Sequence, residues 1–558
     1  MDTKNTFGHK RRPSGKLENS MKPTPINRTL AVKSQGFTSL VDALEYAAQG
    51  DSGYNFYDHR GDLYKALTYR ELRDDARVLA KRLLGLGLQR GDRVGIIAET
   101  DPMFHRFFFA CQYAGLIPVA LPASIQLGAH KAFINQVRRM LESCGAAVAV
   151  APESHAEFLT EIADGLDLVM AGTPEQFDAL PEKELELVPP LAEDIAYLQY
   201  TSGSTRFPRG VEINQETVLD NLREIAENGL KLTRQDRFVS WLPYYHDMGL
   251  IGFILAPMIC QLSADYLGSR TFAMRPRLWL KLISDNNGTI SSSPTFGYAL
   301  CARRLRPSDY EKYDLSSWRA ACVGAEQINP VPLKDFAEAL APCNFDEKAF
   351  VACYGMAETV LAVSFAPLEL GLSVDYVDQG IMMSSGEILL KGASVMSGYF
   401  RDHESTRAVL SEDGWLDTGD IGYQVDDRIY ITARSKDVII VKGRNIWPND
   451  MEVVAQRLDG ARLGGVAAFS VSGFGDEELA VLVLETKERD AEARTRMKQR
   501  ITELMHEHFG INVIIDLVRP GTLPKTSSGK LSRFQSRQAF LERRSDPALQ
   551  LPGTRNSE

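Results

Sequence analysis

Short apolar runs alternate with helical or loop segments over the first two-thirds of the chain, and this alternation restricts the fold more than any other feature. "AAVAVA" (Ala146–Ala151), "RFVSWL" (Arg237–Leu242), "AACVGA" (Ala320–Ala325) and "AFVACYG" (Ala349–Gly355) read as short buried strands, as does "DRVGIIAE". The segment before "DRVGIIAE" shows the helical half of the pattern. Thr68-Tyr-Arg-Glu71 is a capping box, Leu72, Ala76, Leu79 and Leu83 recur at helical spacing, and Gly85 and Gly87 end the run. Strands alternating with helices imply α/β layers with mostly parallel sheets. Ligands of such sheets bind outside the carboxyl ends of the strands. Several of these strands run into polar or glycine-rich loops, and chemistry is expected there.

The pattern changes after about residue 380. "GEILLKG", "GWLDTGDIGYQ", "RIYITAR" and "VIIVKG" are short strands with turns between them, which suggests a β-rich subdomain over about 380–433. From Asp437 onward the chain reads as a compact α+β unit. "GVAAFSVSG" and "ELAVLVLET" are its strands, and Glu492–His508 is a charged amphipathic helix. A chain of 558 residues is too long for one ordinary core, so at least two domains are expected. Residues 1–34 carry eight Lys/Arg against two Asp/Glu with little apolar content, and residues 1–35 are expected to form a disordered basic extension.

Composition excludes several classes. The net charge is -10 and no long basic stripe interrupts the body, so nucleic acid is not an expected partner. The 7 cysteines are odd in number and form no C-x-x-C pair, as in reduced, buried thiols of a cytoplasmic protein. "HEH" at His506–His508 lacks zinc-ligand spacing. The most apolar segment, "GLIGFILAPMIC" (Gly249–Cys260), is short and contains Pro257; it reads as a buried core helix, and no stable membrane insertion is expected.

"YTSGSTRFPRG" (Tyr200–Gly210) has the composition of a phosphate loop. Thr201, Ser202, Ser204 and Thr205 supply hydroxyls, and Gly203 lets backbone N–H groups approach an anion. Alone it is equally a polar surface loop. It is not a Walker loop, because Gly210 follows Gly203 at the wrong distance and Val211 stands where lysine is required. "SSGKLS" near the C-terminus also fails, having no glycine at the right distance before it.

The stretch resembles instead the phosphate loop of the adenylate-forming superfamily of acyl-CoA synthetases, luciferases and peptide-synthetase adenylation domains. Six further segments resemble that superfamily's motifs in order: "WLPYYHDMGL" (Trp241–Leu250), "VGAEQI" (Val323–Ile328), "YGMAET" (Tyr354–Thr359), "GWLDTGD" (Gly414–Asp420), "ARSKDVIIVKGRNIWP" (Ala433–Pro448) and "PKTSSGKLSR" (Pro524–Arg533). The resemblance runs from about Phe37 to Arg544. Arg206 and Arg209, where the superfamily usually has glycine and lysine, together with "LPYYHDMGLIG", make the chain similar to the fatty acyl-AMP ligases. These enzymes activate a fatty acid with ATP and pass the acyl group to an acyl carrier protein.

The resemblance implies a role for each motif residue, and each has a plainer alternative. Asp420 would accept both ribose hydroxyls, or be a turn aspartate. Arg434 would hold ribose or phosphate from the other side, or be a strand-end surface residue. Tyr354 would stack on adenine, with Gly324, Ala325, Glu326, Gly355, Met356 and Ala357 around the nucleotide; alone, Tyr354 reads as core. Glu358 would hold Mg²⁺ beside the phosphates, or be a helix N-terminal acid. His246 would border the fatty-acid carboxylate, although a histidine beside Asp247 is equally a satisfied core residue. Met248, Ile251, Phe296 and Gly297 would line the acyl pocket, or simply pack helices. Lys530 would bring the carboxylate and the α-phosphate together, two anions that need a cation between them. Lys436 is the expected hinge.

These readings imply an N-terminal adenylation domain over 36–433, built of two α/β sheets plus the β-rich subdomain, and an α+β lid over 434–558. The cofactors are ATP and Mg²⁺. The partners are a medium- to long-chain fatty acid and the 4′-phosphopantetheine thiol of an acyl carrier protein from a polyketide or peptide synthetase. One departure leaves a second ligase open. Fatty acyl-AMP ligases carry an inserted segment after "YGMAET" that disfavours transfer to coenzyme A. Here Ser364–Gly392 reaches "GEILLKG" early, as if a strand and turn were absent between Asp378 and Gly386. The alternatives are a fatty acyl-CoA ligase and, in another class, a non-catalytic nucleotide- or acyl-binding relative. Intact Lys530, Glu358 and Asp420 oppose the latter.

Overall fold

The computed structural model describes residues 21–123, 130–201, 208–374, 386–441, 444–472, 478–525 and 531–545. Two large sheets dominate. One has seven strands in the order Gly398–Tyr399, Gly210–Asn214, Ile195–Tyr200, Ile117–Leu121, Arg93–Ile97, Ala146–Val150, Met170–Gly172. The other has eight, in the order Ala362–Phe365, Phe350–Gly355, Ala320–Val323, Ile290–Ser293, Arg237–Ser240, Ser263–Leu267, Gly53–Tyr57, Leu63–Thr68. The central strands of the eight-stranded sheet are buried on both faces, including Ile290–Ser293 with its three serines. Arg93–Ile97 runs parallel to both neighbours, and so does Ala320–Val323. Antiparallel pairs occur toward the edges, as at Leu63–Thr68 and Ala362–Phe365.

The helix Tyr69–Gly85 begins at the expected box: the Thr68 side chain accepts from the Glu71 N–H, and Glu71 accepts from the Thr68 N–H in return. Leu72, Ala76, Leu79 and Leu83 are fully buried. "GLIGFILAPMIC" is a buried helical stretch interrupted by a π turn, Ile251–Leu255. No helix among the described residues is long and apolar enough to cross a membrane. All 7 cysteines are free, Cys353 half-buried and the rest buried.

Two expectations need correction. Residues 21–35 are not a disordered extension. Thr24 is buried, its hydroxyl donates to the Gly53 carbonyl, and its own carbonyl accepts from Arg237 at 2.8 Å. The Asn55, Arg237 and Asp265 side chains are buried at one end of the eight-stranded sheet and require partners, which this strap helps to supply. Residues 1–20 lie outside the described residues. "VIIVKG" does not join the β-rich sheet either. That sheet contains Gly386–Leu390, Leu416–Val425 and Arg428–Arg434. Ile439–Val441 pairs with Arg444–Ile446, and its Ile439 and Val441 are buried with Val466 and Leu482 in the C-terminal core. Apolar alternation specifies a strand but not its sheet.

The C-terminal sheet is Ala461–Ser472, Glu478–Thr486 and Val513–Val518, with the helix Ala491–Phe509 capped by Asp490 and ended by Gly510 at φ 65°.

Candidate active site

The site lies where strands of both large sheets end. Ile195–Tyr200 leads to Thr201, Arg237–Ser240 to the Trp241–His246 loop, Ile290–Ser293 to Thr295 and Phe296, Ala320–Val323 to Ala325, and Phe350–Gly355 to Met356 and Glu358. All of these loops line one cleft of about 3980 Å³. The β-rich sheet contributes Asp420 and Arg434 to its wall, and the C-terminal part contributes Lys436, Trp447 and Lys525.

On one side the groups are polar and mutually bonded. Strand register sets Asp420 opposite Arg434, with the guanidinium Nε 3.3 Å from the carboxylate. Asp420 is only 6% exposed, and its other oxygen accepts from the Tyr354 phenol at 2.7 Å. Burial, then the neighbouring Asp420 carboxylate, pushes the Tyr354 phenol well above its ordinary pKa, so it remains a donor. The structure therefore joins three residues that the sequence assigned separately to ribose and adenine.

The adjoining "GMAET" loop is held tightly. A Cβ at Gly355 would lie 1.7 Å from the Leu361 carbonyl oxygen, so the chain can double back there only as glycine. The turn closes at Val360 with φ 67° and ψ −66°, a strained conformation for a β-branched residue. Gly324 is constrained similarly, since its Cβ would meet the Cys353 carbonyl at 2.6 Å, and Ala325 follows at φ 67°.

Glu358 accepts a hydrogen bond from the Tyr399 phenol at 2.8 Å. The Arg209 guanidinium lies over the Tyr399 ring, 5.0 Å from its centroid. Arg209 and Thr201 close the neck of the phosphate loop: the Thr201 N–H donates to the Arg209 carbonyl, and the Arg209 N–H donates to the Thr201 hydroxyl. Ser202, Gly203, Ser204 and Thr205 lie outside the described residues. Tyr399 was not anticipated. Nothing in "SGYF" marks it, and it reaches Glu358 because Gly398–Tyr399 pairs with Gly210–Asn214.

The other side is apolar. Trp241 stacks on Phe272 with centroids 3.7 Å apart and planes 7° from parallel, and Phe296 meets Trp241 edge-on at 5.8 Å. Ala299 and Leu300 continue this wall along the helix Thr295–Arg304. Of the residues expected to line an acyl pocket, Phe296 lines the cleft. Met248, Ile251 and Gly297 do not line the cleft. Ile251 is fully buried in the core, Met248 receives the Ser292 hydroxyl, and Gly297 is the point where the helix touches Trp241. The resemblance assigned these residues by motif, which does not distinguish the face of a segment turned to the core from the face turned to the cleft.

His246 stands between the two sides. Its Nδ1 is 2.9 Å from Asp247 Oδ1, and Nε2 has no partner among the described residues. Asp247 therefore favours a proton on Nδ1 and leaves Nε2 for a ligand.

Lys530 lies outside the described residues, but the positions around its loop are placed. Lys525 and Leu531 form an antiparallel bridge, and both line the cleft. Burial, reinforced by Arg462, holds the Lys525 ammonium below its ordinary pKa, against the opposing pull of Glu485 and of Glu326 across the cleft. Arg533 forms a bidentate pair with Glu452 at 2.7 Å and reaches Asp437 at 3.3 Å, which ties the end of this motif to the segment of Lys436.

Residues 44–400 match the family described as AMP-binding enzyme. The chain belongs to that family. It is an adenylate-forming ligase, as its ordered motifs imply. It is 42% identical to a Caulobacter vibrioides protein provisionally named an acyl-CoA synthetase, over 93% of this chain and 98% of that one. It is similar to a structure solved in work on fatty acyl-adenylate ligases of E. coli and L. pneumophila, with 40% identity, a TM-score of 0.86, and coverage of 92% of this chain and 99% of the other. A medium-chain-fatty-acid–[acyl-carrier-protein] ligase of Teredinibacter turnerae is 33% identical over 63% of this chain and 64% of its own length.

Proposed function

We propose that the protein adenylates a medium- to long-chain fatty acid and passes the acyl group to the phosphopantetheine thiol of an acyl carrier protein. The observation that carries this reading is one cleft with a polar, prepaired wall at Asp420, Arg434 and Tyr354 facing a stacked apolar wall at Trp241, Phe272 and Phe296. In the first step a carboxylate oxygen attacks the α-phosphorus of ATP, and pyrophosphate leaves. In the second, the thiol attacks the acyl carbonyl, and AMP leaves.

The motif resemblance supplies the roles, and the lining of one cleft by the described residues supports them. Asp420 and Arg434 hold ribose, and Tyr354 lies against adenine within the turn made by Gly324, Ala325, Glu326, Gly355, Met356 and Ala357. The phosphate loop receives the phosphates. His246 Nε2 orients the acid's carboxylate, with the chain along Trp241, Phe296 and Leu300. Lys530 supplies the cation between carboxylate and α-phosphate. The donor set at Glu358 suits Mg²⁺, since a carboxylate, hydroxyls and substrate phosphates are all hard oxygen ligands; when bound, the ion would neutralise the departing pyrophosphate. Residues 434–558 act as a lid turning at Lys436 on the 36–433 body.

A fatty acyl-CoA ligase is the second reading, favoured by the short span between Asp378 and Gly386. Residues 375–385 lie outside the described residues. Leu370, Leu372 and Val374, just before them, face the cleft, and Arg428 anchors Ser373 by a 2.6 Å hydrogen bond. Restraint of the lid by these residues would favour the first reading. Product analysis with a fatty-acid panel and ATP, with and without coenzyme A, separates the readings. Accumulating acyl-AMP that discharges onto holo-carrier protein supports the first; rapid acyl-CoA formation replaces it with the second.

A further inference from the structure

The apolar wall ends at a surface whose charge is opposite to that of the rest of the molecule. The chain as a whole carries -10, yet residues 266–306 hold six arginines and one lysine against a single acid, Asp285. The fold gathers five of these arginines, all but Arg270, around the C-terminal end of the helix Thr295–Arg304. The Cys301 thiol donates to the Pro276 carbonyl, which sets Arg275 beside that helix. Arg277 pairs with Asp309, and Asp309 also accepts from the Arg306 N–H, which draws Arg306 to the same place. Arg303 and Arg304 occupy the helix's last turn. Arg275, Arg303, Arg304 and Arg306 are exposed, and none has a carboxylate at ion-pair distance among the described residues. Two large apolar side chains are exposed beside them, Met274 at 59% and Phe296 at 39%, and Phe296 also belongs to the cleft wall.

We infer that this face docks reversibly on an anionic lipid surface and takes the fatty acid from it into the cleft. Unpaired arginines attract anionic headgroups, while exposed Met and Phe side chains sink into the headgroup–acyl boundary. This inference rests on the fatty-acid reading for its purpose. A long-chain acid partitions into bilayers, and its carboxylate would pass the arginines first, moving inward toward His246 with the chain following along Phe296, Ala299 and Leu300. An acidic carrier protein is the less favoured occupant, because the arginines stand at the last turn of the helix Thr295–Arg304 while its first turn meets Trp241, and the thiol must reach the carbonyl.

The test is sedimentation with vesicles of phosphatidylcholine alone or mixed with phosphatidylglycerol, without ATP or acid, so that binding is read independently of adenylation. The wild-type protein should bind the anionic vesicles at least tenfold more tightly, and less so as salt rises. The triple variant Met274→Ser, Arg275→Glu, Arg306→Glu changes no residue lining the cleft. It should lose at least tenfold in vesicle affinity, adenylate octanoic acid in solution within twofold of wild type, and slow markedly on a long-chain acid held in anionic vesicles. Equal wild-type binding to both vesicle types, or unchanged vesicle binding by the variant, overturns the inference. So does a variant that keeps vesicle binding but loses transfer to holo-carrier protein, which would assign the face to a protein partner. Vesicle binding that meets these criteria in a protein without fatty-acid adenylation would sustain the docking face while defeating the proposed reaction.

Discussion

On the polar side of the cleft, Tyr354 donates to Asp420, Asp420 meets Arg434, and Tyr399 donates to Glu358. On the apolar side, Trp241, Phe272 and Phe296 meet through ring faces and edges, and the helix that continues the wall presents Ala299 and Leu300. The first wall is specified by directional bonds between groups that are costly to leave unpaired when buried. The second is specified by area and shape, which change by degrees. Substitutions on the two sides should therefore fail differently: abruptly and for one ligand on the polar side, gradually and by chain length on the apolar side.

Lys530→Ala should have the largest effect, because the cation it removes serves neither wall alone but the meeting of their two anions. Adenylation should fall roughly 10²–10³-fold with unchanged thermal stability. Pyrophosphate release near the wild-type rate would remove Lys530 from its role.

Asp420→Ala should come next. It removes charge-assisted bonds to ribose and strands the Tyr354 hydroxyl, so ATP affinity should weaken by about 1.5–3 kcal/mol. Fatty-acid affinity should hold. Calorimetric titration of both ligands checks this, and equal losses would mean that the two walls are not independent.

Tyr399→Phe is a finer cut on the same side. It deletes one hydroxyl and leaves the ring under Arg209. The Mg²⁺ concentration for half-maximal nucleotide binding should rise about fivefold, the equivalent of ~1 kcal/mol. Excess Mg²⁺ should restore binding if Tyr399 positions Glu358. Loss that Mg²⁺ cannot restore would point to damage in the strand pair instead.

Phe296→Ala should give the smallest effect and the most graded. Phe296 is 39% exposed, so its loss should cost about 1 kcal/mol or less for acids long enough to reach it. KM should rise for long chains and stay level for short ones. A uniform rise across chain lengths would place the acyl chain elsewhere.

Much of this was legible without coordinates. The alternation of apolar runs and the capping box at Thr68 state local preferences, and the strands and the helix Tyr69–Gly85 formed where those preferences put them. The motif residues Asp420, Tyr354, Glu358 and His246 were readable because the segments that carry them resemble the superfamily's motifs in order; alone, Tyr354 and His246 read as core residues. Met248, Ile251 and Gly297 show where such reading stops: a motif identifies a segment without saying which of its residues face the core and which the cleft. Tertiary structure alone decided the rest. Tyr399 reaches Glu358 through a strand pair formed between residues 210–214 and 398–399, Thr24 completes a buried cluster with Arg237, and Ile439–Val441 leaves the β-rich sheet for the C-terminal core. Local sequence sets what a segment can form, but pairing across long stretches of chain depends on which buried polar groups and apolar faces remain to be satisfied once the whole chain has packed.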